Sequence, residues 1–371
     1  MPVVAASPPY TDAMSTTAAA PHPEGVAPAP TLRAESEAVY AAIAAGALGA
    51  IYGLVIALAI PDLPLGNAGG GFGLMAAIGA AVVAAAASAT GYWRSRNRPG
   101  QEWRRSLPSW KFTINTVSVV IVHTVLAFLA TYAGFRVLGL GFIGLPVVTF
   151  WAVVLMAVSL GLSSWLVYLS VSRVTTQRMS TLLMAFIVIG TLTSMVTTPD
   201  PEWWKVHFSQ LGTFDDLSSA VFNGTLIAGG LLVTTFAVYI ANDLQELVHS
   251  GILKNPRSPR IVSTLFVIMG IMLAFVGIVP VDVNLLIHNL SATGMALMFL
   301  ALLIAGPKLL AGMPRTYFVS AWAFLAATVA SVVLFIATYF SLTAFEIIVF
   351  ALIFGWIAVF IRFLGVTGQR E

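Results

Sequence analysis

Cysteine is absent from all 371 residues, which excludes disulfides, thiolate metal sites and cysteine nucleophiles together. Charge is nearly as scarce. Only 9% of residues are Asp, Glu, Lys or Arg, against about 25% in a soluble domain. A chain so poor in charge cannot close a core behind a water-facing surface, so its 58% of hydrophobic residues must face lipid. The net charge of +3 leans basic, but the Lys and Arg residues fall in loops between apolar segments. That distribution argues against nucleic acid as a partner and for membrane orientation.

Residues 1–37 lack any apolar period. They are rich in Ala, Pro, Ser and Thr with scattered acids, too polar to offset the entropy of ordering, which predicts a disordered cytoplasmic tail. No basic stretch followed by an apolar core and a small-residue cleavage site occurs there. The segment does not read as a secretory signal, and the first span is expected to serve as its own insertion signal.

Apolar length is what the chain has in excess. Stretches of about 20 residues, enough to cross roughly 30 Å of hydrocarbon as a helix, recur at 38–60, 72–92, 114–135, 146–170, 180–198, 219–241, 261–279, 286–306, 317–339 and 345–365. The predicted fold class is all-α, a polytopic integral membrane bundle of about ten transmembrane helices. Small residues within the spans, such as Gly46, Gly49 and Gly53 and then Gly229 and Gly230, predict close backbone approach between helices. Alternate loops hold every one of the 18 Lys and Arg residues except Arg136 and Lys205. The positive-inside rule then places both termini in the cytoplasm. Trp93, Trp103 and Trp110 on the inner side, and Trp203 and Trp204 on the outer, suit interfacial belts. Ten spans invite a division into two inverted halves of five, yet residues 38–198 and 219–365 share no motif. An Ala- and Gly-rich chain of this kind fits the cell membrane of a bacterium, which is the expected localisation.

Polar residues collect in two outer segments. The first, 199–218, begins Asp200-Pro201-Glu202, a helix-start signature that predicts a short helix along the outer surface. It continues with His207, Ser209, Gln210, Gly212, Asp215 and Asp216, and Asn223 enters the next span. The second, 277–289, contains Pro280, Asp282 as a candidate helix cap, and Asn284 and His288 four residues apart on one expected helical face. The outer side also carries Asp62, Glu202 and Glu346. An acidic outer mouth with two histidines is the main chemical feature of the chain.

Three readings of that mouth stay open. His207 and His288 can simply cap helices and tie loops together. The candidate set of His207, Ser209, Asp215, Asp216, Asn223, Asp282, Asn284 and His288 can bind a lipid head group, a small solute or a cation. Imidazole with carboxylate suits a divalent ion, but the spacing matches no standard metal motif, so no metal or other cofactor is assigned. Alternatively Ser209 is a nucleophile, His288 or His207 its base and Asp282 the orienting acid, in a membrane-embedded hydrolase acting on a lipid. There is no GxSxG elbow and no HExxH helix. His123, mid-span, reads first as an interhelical hydrogen bond. The basic run 94–111 reads as an orientation determinant touching anionic lipid, and also as a platform for a membrane or cytoplasmic protein partner. Asp243, Glu246 and His249 read as a polar inner helix end.

The two outer segments carry a family resemblance. HFSQLGTFDDLSSAVFNGTLIAGG and GIVPVDVNLLIHNLSA resemble a bacterial multi-pass membrane family known as domain of unknown function 998, itself distantly similar to the FRAG/DRAM/Sfk group of eukaryotic membrane proteins. The matching positions are Ser209, Leu211, Gly212, Phe222, Asn223, Gly230, Pro280, Asp282 and His288. The resemblance covers about residues 178–366 and implies a six-helix membrane domain with a polar outer site. Residues 38–171 then form a four-helix region of unrecognised type. The eukaryotic group is tied to lipid-anchor handling and membrane trafficking, so the resemblance implies a lipid-related role. The expectation is an accessory, transport or lipid-translocating membrane protein with membrane lipids as partners, leaning away from an enzyme.

Overall fold

Backbone N–H and C=O groups find no water within a bilayer, so each apolar stretch satisfies them internally as a helix. The computed structural model describes residues 32–66, 71–98 and 100–368. Its ten long helices are α1 (Leu32–Ala59), α2 (Phe72–Ser95), α3 (Ser109–Gly141), α4 (Thr149–Ser172), α5 (Thr176–Thr197), α6 (Leu217–His249), α7 (Ser258–Ile278), α8 (Leu285–Leu309), α9 (Arg315–Ile336) and α10 (Leu342–Gly368). All ten are long and apolar enough to cross a membrane, and the described residues form no strand beyond isolated bridges. The chain is a multi-pass α-helical membrane protein.

Several helices outrun the apolar stretches that predict them. α6 has 33 residues, about 50 Å at 1.5 Å per residue, and its last turns carry Asn242, Asp243, Gln245, Glu246 and His249. α1 begins at Leu32, so residues 32–37, expected in the tail, form its first turns. The remainder of that expected tail, 1–31, lies outside the described residues. Polar pairing explains the early start. Glu37 accepts hydrogen bonds from Arg98 and Tyr168, each at 2.8 Å, and Arg33 reaches it from one turn earlier at 3.2 Å.

Helix partners are set where side chains are smallest. α1 lies along α4 because Gly49 faces the Met156 carbonyl, where an added Cβ would come within 2.7 Å. α6 lies along α7 with Gly230 on Gly270. α2 packs on α3 and α4, α5 on α6, α7 on α8, and α10 on α9 and α5. Trp356 centres the aromatic core of these later helices. It stacks on Phe360 with centroids 5.3 Å apart and meets Phe299 edge-on at 5.7 Å.

The first four helices join the last six chiefly at the end of the bundle that carries most Lys and Arg residues. There α3 touches α6, the Tyr92 and Tyr239 hydroxyls lie 3.0 Å apart, and Trp103 meets Tyr239 edge-on at 5.0 Å. The basic run is partly internal. Arg104 is only 1% exposed, stacks over Tyr92 at 3.8 Å and donates to Ser95 Oγ and the Tyr92 carbonyl at 2.8 and 2.9 Å. Arg98 donates to the Ser172 carbonyl as well as to Glu37. Arg94, Arg105 and Lys111 remain exposed.

Candidate functional site

The opposite end of the bundle holds the 198–216 connection, the α7–α8 turn and the start of α10. Instead of one surface helix, the connection folds as two 3-10 turns, Trp203–Lys205 and Phe208–Gly212. Asp200 Oδ1 accepts the Glu202 N–H at 2.8 Å, which closes a turn and not a helix start. Phe208 and Leu211 then plunge inward, 7% and 0% exposed. Phe208 meets Phe222 of α6 edge-on at 5.2 Å and Phe350 of α10 at 5.6 Å. Burying this pair draws the connection into the bundle, since each large apolar side chain gains about 1.5–3 kcal/mol on leaving water.

That inward fold brings Ser209 to His288. The imidazole is 4% exposed, with Nδ1 2.9 Å from the Val279 carbonyl and Nε2 2.9 Å from Ser209 Oγ. A carbonyl only accepts, so Nδ1 carries the proton and donates to it. In the singly protonated ring Nε2 then accepts the Ser209 O–H. A base oriented by a second group and bonded to a hydroxyl is the arrangement that activates a serine. The same pairing also ties a loop to a helix. His123 of α3 is bonded in the same manner, with Nδ1 to the Val119 carbonyl at 2.8 Å and Nε2 to Ser170 of α4 at 3.0 Å.

Three of the other expected site residues have separate structural tasks. Asp216 caps α6, accepting from the Ser219 N–H at 3.0 Å and from Ser218 Oγ at 2.8 Å. Asn284, not Asp282, caps α8, accepting the Ile287 N–H at 3.0 Å. Asn223 donates to the Gly212 carbonyl at 2.8 Å and fills the space a Gly212 side chain would need. Asp215 and Asp282 are exposed. Asp282 therefore does not orient His288, whose Nδ1 belongs to the Val279 carbonyl. His207 is half-buried beside the pair. Burial, and after it the neighbouring His288 ring, holds its imidazole below the usual range, which favours the uncharged ring. Among the described residues no three His, Asp or Glu side chains gather in a metal-holding group.

Glu346 belongs to this site and was not among the expected residues. Its Oε2 accepts the Phe208 N–H at 2.6 Å, so a carboxylate one turn into α10 holds the residue beside Ser209. The signal in the sequence is an acid near the start of a largely apolar 27-residue helix, a costly placement in a membrane that calls for a partner.

Neither the curated proteins nor the solved structures contain a match to this chain. Residues 181–362, which run from α5 into α10, match the family described as "Protein of unknown function (DUF998)", and through these last six helices the chain belongs to that family.

Proposed function

We propose that this is a bacterial cell-membrane protein with both termini in the cytoplasm, whose Ser209–His288 end faces outward and holds the polar head group of a lipid. The orientation rests on the basic residues, all of which except Arg136 and Lys205 fall in loops of the other side or in the segments flanking them. Reporter fusions after Arg105 and after Asp216 are expected on opposite sides of the membrane. The same side for both would refute the arrangement.

One observation carries the ligand reading: a hydrogen-bonding hydroxyl and imidazole lie on segments whose neighbouring apolar side chains are exposed. Trp204, Val206, Val283, Leu285 and Leu286 are all at least half exposed. An amphiphile suits both features, with its apolar part along those side chains and its head group at the polar pair. The cation version of the site has less support, because Asp200, Asp216 and Glu346 are spent on a turn, a cap and Phe208, and Asp215 and Asp282 join no metal-holding group among the described residues.

A second reading, a hydrolase acting on a lipid ester, is favoured by the Nδ1-anchored tautomer of His288. The matching His123–Ser170 pair, which joins α3 to α4, weighs against it. Ser209→Ala and His288→Ala, each in the full chain, separate the readings. For a head-group site, His288→Ala is expected to weaken retention of co-purified lipid about tenfold. Ser209→Ala, which removes one hydrogen bond of about 1 kcal/mol, should weaken it roughly fivefold. A hydrolase would instead lose release of fatty acid or head group from added phospholipid with either change, at unchanged lipid affinity. If both variants lower only the melting temperature, the pair is a loop tie and both readings fail.

A further inference from the structure

At the basic end of the bundle, away from the Ser209 site, α5 and α10 part to leave a groove of about 230 Å³. Gln177, Ser180 and Thr181 line it from α5, and Ala358, Ile361 and Arg362 line it from α10. Its polar groups are an amide, two hydroxyls and a guanidinium, with no carboxylate among them. Ser180 is only 5% exposed and lines the groove. Arg362 is exposed, and no Asp or Glu pairs with it among the described residues. An amide, two hydroxyls and a guanidinium in one concavity, with no carboxylate among them, suit an anion with several acceptor oxygens.

Depth narrows the choice of anion. Arg362 lies six residues before the end of α10 at Gly368, about 9 Å along the axis, which puts it at head-group level and not in bulk water. The groove volume corresponds to about eight waters at about 30 Å³ each, ample for a phosphate. Met184 extends the lining one turn deeper along α5, where the surroundings become apolar. We infer that this groove binds the phosphate of an anionic phospholipid from the leaflet at the basic end, with the guanidinium and hydroxyls on the phosphate oxygens and the acyl chains following α5 and α10 into the bilayer.

The test is native mass spectrometry of the full chain released from phosphatidylcholine nanodiscs doped with phosphatidylglycerol. One retained phosphatidylglycerol is expected. Arg362→Ala should weaken its binding about tenfold and Arg362→Lys, which keeps the charge but loses the planar fork, about threefold. Arg178→Ala, a change at an exposed neighbour that does not line the groove, should leave it unchanged. Where Arg362→Ala does not yield folded protein, Gln177→Leu combined with Thr181→Val keeps the charge, removes donors, and should weaken binding about fivefold. Equal loss from Arg178→Ala and Arg362→Ala would mean a diffuse basic surface. Full displacement by millimolar inorganic phosphate would mean a site for the free ion. Unchanged binding in Arg362→Ala would mean no site at all. Each of these outcomes overturns the proposal.

Discussion

Gly230→Val is expected to leave no folded, monodisperse protein in detergent, whereas Gly224→Val in the same helix should purify like the parent. The two glycines differ only in what faces them. A Cβ at Gly224 meets nothing within 4 Å, while one at Gly230 would stand 2.6 Å from the Ala274 backbone nitrogen and closer still to the Gly270 carbonyl. The obstruction is backbone on both sides, because a Cβ at Gly270 would in turn lie 2.7 Å from the Gly230 carbonyl and 2.9 Å from the Thr234 nitrogen. Side chains can rotate away from an intruder, but a helix backbone can only retreat whole. Overpacking a yielding core costs about 1–3 kcal/mol, and valine against rigid backbone should exceed that range, set against a total stability of about 5–15 kcal/mol. The displacement would also reach the candidate site, since α7 ends in the Val279 carbonyl that orients His288. Size-exclusion profiles and melting temperatures decide the matter. A Gly230→Val protein that melts with the parent would sink the argument.

Gly229 and Gly230 could be read as packing signals from sequence, because a membrane offers helices little hydrophobic drive to associate and small residues mark where backbones touch. Which helix they touch could not be read, since Gly270 lies forty residues away and no local pattern links the two. The same limit applies at the candidate site. Ser209 and His288 stand in recognisable motifs at one end of the bundle, but their hydrogen bond spans 79 positions and depends on Phe208 and Leu211 turning inward. Local chemistry misled where two residues compete for one role. Asp282 and Asn284 are both good N-caps by type, and Asn284 prevails because α8 starts at Leu285. Helix ends were misplaced for a related reason. Hydropathy reports contact with lipid, whereas α1 and α6 continue as helices through polar turns that other side chains satisfy.

Arg104→Ala is expected to destabilise the protein by about 3 kcal/mol, and Arg105→Ala by less than about 0.5 kcal/mol, although the two arginines are neighbours in one basic run. Arg105 is exposed, and its contact with Asn97 competes with water, so losing it changes little. Arg104 makes three charge-assisted hydrogen bonds, to Ser95 Oγ, to the Tyr92 carbonyl and, longer at 3.4 Å, to Gln101 Oε1. The two short ones are each worth about 1.5–3 kcal/mol, and its guanidinium covers the face of Tyr92. Against these stands the cost of keeping a cation out of water where, among the described residues, no carboxylate pairs with it and its Nε has no partner. The net loss in the alanine variant is therefore smaller than the sum of its contacts. Arg104→Met separates the two effects, because it keeps the volume against Tyr92 and Phe112 while removing both the hydrogen bonds and the buried charge. It should cost about half as much as the alanine. Thermal melts of the three variants in one detergent give the ranking directly, and equal shifts for Arg104→Ala and Arg105→Ala would show that the buried guanidinium contributes nothing. Trp103 lies next to Arg104 and packs on Tyr239 of α6. Loosening Arg104 should therefore weaken the joint between the first four helices and the last six, and a melt that splits into two transitions in the alanine variant is the expected signature.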